Sequence, residues 1–90
     1  MLSFLPKTPS QMQEELKVKF RAKRKALKLT QEELAIKSGM SLGSLKRFES
    51  SGQISLESLL KVALVLECLG DFDRVCVKRE EMPESIEDLI

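Results

Sequence analysis

Three features of the sequence predict an all-α fold of five helices. Apolar residues recur at three- and four-residue intervals along most of the chain, the spacing of one helix face. Gly and Pro together number only seven of 90 residues, so little of the chain is committed to turns. Capping residues also stand just ahead of the apolar-periodic stretches, at Thr8, Thr30, Ser41 and Ser55. With 15 Leu, four Phe and no Trp or Tyr, the core is aliphatic. Ninety residues make one domain, which buries only about 60% of its unfolded surface and gains from dimerising.

Residues 1–8 read as an N-terminal arm in which Leu2, Phe4 and Leu5 are apolar; residues 9–76 form the folded domain, and 77–90 an acidic C-terminal tail. Helix 1 opens with Thr8 as cap, Pro9 in the first position and Gln11 as the capping-box partner. It is expected to run to about Leu27, with Met12, Leu16, Phe20 and Leu27 on one stripe, and residues 17–28 carry seven basic side chains in twelve. Helix 2 starts at Thr30, whose box partner is Glu33 and whose flanking Leu29 and Leu34 can clasp as a staple. Gly39 ends it in the left-handed conformation. Ser41 caps helix 3, with Met40 and Leu45 in the same staple relation, and Leu34, Ala35, Met40, Leu45 and Phe48 point inward.

Ser50 to Gln53 reads as a loop. Helix 4 then runs from Leu56 to about Leu69, ended by Gly70, and is apolar around so much of its girth that it needs cover on two sides. Asp71 caps a short helix 5 with Phe72 and Val75 inward; the alternative is a strand, because Val75-Cys76-Val77 favours β structure. In the tail, Ile86, Leu89 and Ile90 sit in an acidic frame, a pattern of either a free tail or a docking segment for a partner.

Helices 2 and 3, joined by a glycine turn with the small Ala35 where they approach, have the sequence form of a helix-turn-helix, whose second helix can lie in the DNA major groove. The ordered set T-Q-x-x-L-A-x-x-S-G over residues 30–39, then L-x-x-F-E-x-x-G over 45–52, resembles the Xre family, the lambda-repressor and Cro type of regulator. The resemblance spans roughly residues 12–70. It implies a five-helix lambda-repressor-like domain, base reading by Leu42, Gly43, Lys46 and Arg47, and a structural ion pair between Arg24 and Glu49 that ties helix 1 to the end of helix 3. Two departures stand out. Lys28 occupies the place of a usual glycine, and Leu42 and Gly43 replace the usual Gln or Asn at the first two outward positions of helix 3.

The chemistry of these residues divides into positioning and reading. Gln31, at the start of helix 2, can donate to a phosphate alongside free backbone amides, and Ser41, Lys23, Lys25 and Lys28 are further phosphate candidates. Lys46 and Arg47 can donate to guanine O6 and N7, Leu42 can touch a thymine methyl, and Ser44 can reach a base edge or a phosphate. Gly43 has no side chain, costs about 1 kcal/mol of helix stability relative to Ala, and shifts weight towards DNA shape. Arg47 can instead pair with Glu49 or Glu33.

The net charge of +1 hides an asymmetry: residues 1–50 hold 11 Lys/Arg against 5 Asp/Glu, and residues 51–90 hold 4 against 9. A basic front and acidic back suit a protein that meets a polyanion on one side. Cys68 and Cys76 lie about 12 Å apart on a continuous helix, too far for a disulfide, and read as packing residues or free thiols. With no His and two Cys, neither a metal nor another cofactor is expected. Nor is an enzyme, since no Cys is partnered by a base and there is no phosphate loop. No apolar run spans a membrane, and Pro6 interrupts Met1–Leu5 with no cleavage-like site after it, so the expected compartment is the cytoplasm. The expected function is a sequence-specific DNA-binding regulator, a repressor acting as a homodimer on a two-fold operator with helix 42–49 in the major groove. The alternatives are a HipB-like antitoxin that also binds a toxin through residues 71–90, and a protein-binding adaptor that does not read DNA.

Overall fold

Side-chain caps set the starts of four α-helices. The computed structural model describes residues 6–77, with α1 at Pro9–Ala26, α2 at Gln31–Ser38, α3 at Leu42–Ser51, α4 at Leu56–Val65 and a closing 3-10 helix at Leu69–Arg74. Thr8 and Gln11 form a reciprocal capping box, as do Thr30 and Glu33. Ser41 and Ser55 each accept from the amide three residues on, at 3.1 Å in both cases. The arm residues Leu2, Phe4 and Leu5 and the tail residues Ile86, Leu89 and Ile90 lie outside the described residues.

Three of the helices close in the same way. A left-handed residue, Lys28 (φ 61°), Gly39 (φ 70°) or Glu67 (φ 65°), follows the last turn. The next amide then reaches back to a helix carbonyl: Leu29 to Arg24 at 3.1 Å, Met40 to Ala35 at 3.0 Å, and Cys68 to Ala63 at 2.9 Å. Leu29, Met40 and Cys68 all pack half-buried against the core, so each closure turns an apolar side chain inward as it ends the helix. At α4 this differs from expectation. The helix ends at Val65 rather than near Leu69, and Glu67, not Gly70, takes the left-handed turn. The short helix expected after Asp71 forms as the 3-10 helix, and the alternative strand does not appear among the described residues; Val75 and Cys76 make a turn, and Val75 is exposed rather than inward, while Phe72 packs on the core.

The core joins Phe20 of α1, Leu34 and Ala35 of α2, Leu45 and Phe48 of α3, and Leu59, Val62 and Ala63 of α4 with Leu66. Phe20 and Phe48 meet edge to face at 5.7 Å. Met12 and Leu27, at the ends of the α1 stripe, stay exposed. One flank of α4 is covered as its apolar girth requires, but Leu56 and Leu64 on the other remain 67% and 64% exposed.

Polar contacts fix α3 against α1 and α2. Arg24 is buried and donates from Nε to Glu49 Oε2 at 2.7 Å, from Nη2 to Glu49 Oε1 at 3.0 Å, and from Nη1 to the Leu29 carbonyl at 2.9 Å. Gln31 Nε2 adds a third bond to the Glu49 carboxylate at 2.9 Å. Burial alone raises the pKa of Glu49; the bonds from Arg24 and Gln31, with the charges of Arg24 and Arg21, outweigh it and hold the carboxyl below its ordinary 4.5. Beyond Glu49, Lys17 Nζ donates to the Ser50 carbonyl at 3.2 Å. Gly52 takes φ 81°, and a Cβ there would come within 3.1 Å of the Gln13 carbonyl oxygen.

Glu49→Ala leaves the Arg24 guanidinium buried without its carboxylate, which costs on the order of 3 kcal/mol, whereas Lys46→Ala on the exposed face costs under about 0.5 kcal/mol. Thermal melts of the two variants compare these directly, and equal melting temperatures would contradict the assignment. Because the folded-state carboxyl titrates below its unfolded value, its contribution is complete above about pH 4.5 and is lost as pH falls through the folded-state pKa. Glu49→Gln is therefore expected to flatten the acid limb of the melting-temperature profile. Lys28→Gly and Glu67→Gly are each expected to stabilise the domain by about 0.5 kcal/mol, because glycine takes the left-handed conformation without penalty. Leu27→Gly, at φ −88°, should destabilise it in the same melts.

Candidate nucleic-acid interface

The outer face of α3 is set by what the inner face buries. Leu45 and Phe48 point into the core, so at 100° per residue Gly43, Lys46, Arg47 and Ser50 form a stripe on the opposite side. All four are exposed. Ser50 belongs to this stripe because α3 continues through Ser51 before Gly52 turns left-handed, where a loop was expected from Ser50 onward. The seven-residue step from Gly43 to Ser50, with Gly52 as the helix terminator, is the sequence signal for it. A Cβ on Gly43 would meet nothing within 4 Å.

Leu42 departs from its expected outward place. It is half-buried and packs against the core. Side chains on a helix lean towards its N-terminus, and at the first position of α3 this lays Leu42 back over the capping turn, towards the apolar interior. Ser41 and Ser44 are exposed and bonded to each other: Ser44 N donates to Ser41 Oγ, and Ser41 Oγ donates to Ser44 Oγ at 2.9 Å. That arrangement leaves the Ser44 hydroxyl proton free to point outward.

Lys46 and Arg47 occupy opposite flanks of the stripe. Lys46 shares a shallow cleft with Arg21, Gln31, Glu49 and Ser50. One amide proton of Gln31 is committed to Glu49, so a single N–H remains for any outside acceptor. Arg47 pairs with neither Glu49 nor Glu33; its Nε and Nη2 donate to Gln53 Oε1 at 3.1 and 2.7 Å. Arg24 and Glu49 meet in the bidentate pair described above, beneath the stripe rather than on it.

The basic run of α1 divides between two faces. Arg21 and Lys25 line a groove with Glu14, Lys17 and Glu49, on the side of α3. Lys23 lies on the other side with Lys19, over Leu16, Phe20, Cys68 and Phe72, so it is not brought to the site. Two residues along a helix turn the side chain by about 200°, which separates Lys23 from both Arg21 and Lys25. Arg21 is thus the residue that the reading of the run as a block overlooked, and the four-residue step to Lys25 marks it. Lys28 is exposed on the turn ahead of α2.

Elsewhere the chemistry is quiet. Cys68 and Cys76 are both free, and burial, helped by Asp71 and opposed by Lys23, raises the Cys68 thiol pKa. Among the described residues no His, Cys, Asp and Glu side chains cluster as a metal site, and no helix is long and apolar enough to cross a membrane.

A family model described as helix-turn-helix matches residues 20–71, from the middle of α1 into the 3-10 helix. No curated protein and no solved structure matches the chain. The match contains both helices of the motif and the glycine turn between them, together with the α1 and α4 residues that support them. The chain belongs to the Xre-type helix-turn-helix family and is a DNA-binding regulator.

Proposed function

We propose that the protein is a repressor that binds a two-fold operator as a homodimer, with α3 in the major groove. The observation that carries this reading is the exposed stripe of Gly43, Lys46, Arg47 and Ser50, which the packing of the described residues leaves open. Lys46 and Arg47 supply donors for guanine, Ser44 an outward hydroxyl, and Gly43 a close approach of backbone to the groove. Gln31, Ser41, Lys25, Lys28 and Arg21 flank the stripe and contact phosphates. These contacts set register and orientation rather than sequence. One copy makes few contacts, whereas two copies read half-sites about 34 Å apart and multiply their discrimination. The exposed Leu56 and Leu64 on α4 support a homodimer, because an uncovered apolar flank favours a protein partner. In this reading no residue is catalytic, no cofactor is needed, and the site of action is the cytoplasm.

A second reading, a HipB-like antitoxin, keeps the DNA face and adds a toxin bound through residues 71–90. It is favoured by the acidic sequence of that segment with Ile86, Leu89 and Ile90 at spaced positions. An adaptor that reads no DNA would be favoured by non-polar residues at both Leu42 and Gly43 on the outer face of α3; with Leu42 packed inward, only Gly43 is left to favour it.

Selection from random duplexes tests the proposal, and the expected product is a palindrome with half-sites one helical turn apart. A Lys46→Ala, Arg47→Ala double variant should lose about 1–3 kcal/mol of discrimination per contacted base. Uniform weakening of all sequences would instead place these side chains on the backbone. Arg21→Ala and Lys25→Ala should each lower the salt slope of binding by about one, while Lys23→Ala leaves it unchanged. Absence of any shift of duplex DNA at low salt would favour the adaptor. Copurification of a larger protein that is lost on deleting residues 78–90 would favour the antitoxin.

A further inference from the structure

The turn after α3 holds Gln53 where it can govern Arg47. Ser51 Oγ donates to the Arg47 carbonyl at 2.7 Å and accepts from Gln53 N at 3.2 Å, which ties the turn back to the helix. Gly52, between them, is buried against Gln13 of α1 in a left-handed conformation, where a Cβ would crowd the Gln13 carbonyl oxygen at 3.1 Å. Ile54, on the other side, packs half-buried against the core. Both neighbours of Gln53 are therefore anchored, and its carboxamide oxygen receives Arg47 Nε and Nη2 together.

A guanidinium has five N–H donors arranged along edges. Oε1 of Gln53 takes the side edge, formed by Nε and Nη2. What remains is the end edge, with one proton each from Nη1 and Nη2, and a second Nη1 proton turned towards the side-chain stem. A free arginine presents either edge and samples many rotamers, so it serves a phosphate as readily as a base. A clamped one presents a single pair of parallel donors, with less side-chain entropy left to lose on binding. That pair matches O6 and N7 of guanine.

We infer that Gln53 is a positioning residue for Arg47: by occupying the side edge of the guanidinium it commits the end edge to the major-groove face of a guanine. This rests on α3 reading DNA as proposed. Gln53 then confers selectivity at one base pair of each half-site without itself supplying much of the affinity.

The test uses full-length protein, the duplex recovered by selection, and the same duplex with each guanine replaced in turn; base preferences are compared at one salt concentration and the salt slope is taken over a series of them. Wild type should prefer guanine about tenfold or more at the position that Arg47 contacts. Gln53→Ala should cut that preference to about threefold or less, with other positions and the salt slope unchanged. Gln53→Glu, whose carboxylate accepts the same two donors, should restore it. Arg47→Ala should abolish it, and adding Gln53→Ala to that variant should do nothing more. Unchanged preference in Gln53→Ala, or equal weakening at every position, overturns the inference while leaving DNA reading intact. Wild type without any base preference overturns both. Independently of DNA, the Arg47 Nε proton should be protected from exchange in wild type and lose that protection in Gln53→Ala; no difference between the two removes the clamp.

Discussion

The ion pair between Arg24 and Glu49 is the constraint on which the placement of α3 depends. Only two side chains of that helix, Leu45 and Phe48, are fully buried, with Leu42 half-buried beside them. Apolar contact of this kind fixes how deep a helix sits but constrains its tilt and roll poorly, because it has no direction. A bidentate guanidinium does have direction. With Gln31 adding a third donor to the same carboxylate, the end of α3 is referred to α1 and to the start of α2 at once. A mainly aliphatic domain of this size thus relies on one desolvated charge pair for orientation and on its small core for cohesion.

Much of this architecture was legible in the sequence, and the rest was not, for identifiable reasons. The helix starts were legible because a cap is a local event: Thr8, Thr30, Ser41 and Ser55 each bond within three residues of themselves. The end of α4 was not, because the left-handed residue there is Glu67, and composition points to Gly70 instead. The ties of Gln31 to Glu49 and of Arg47 to Gln53 depend on the meeting of helix and turn, and a glutamine carries no local mark of which partner it will find. The inward lie of Leu42 is not legible from helical phase alone, because side chains at the start of a helix lean back towards its N-terminus. Arg24 and Glu49 were legible only through family resemblance; 25 positions apart, they have no periodicity to connect them.

The basic run of α1 shows how a composition signal sorts itself once geometry is imposed. Lys17 is drawn in to the Ser50 carbonyl and paired with Glu14 at 2.9 Å, and Arg24 is committed to Glu49. Arg21 and Lys25 remain on the α3 side, while Lys19 and Lys23 look towards the 3-10 helix. A stretch that reads as one positive block is therefore part fastening, part interface and part remote field. In the proposed reading only the middle share would touch a polyanion, although all of it contributes to long-range attraction.

Gly43 stands apart from the rest of α3. It lies in the exposed stripe, its backbone is ordinary helix, and the space around it is open. Replacing it therefore asks nothing of the interior. A longer residue there would gain reach from the protein surface while the helix itself became firmer, so in the proposed reading target preference can change at this position without loss of folding stability. Divergence among copies of such a regulator has an inexpensive starting point in a single codon.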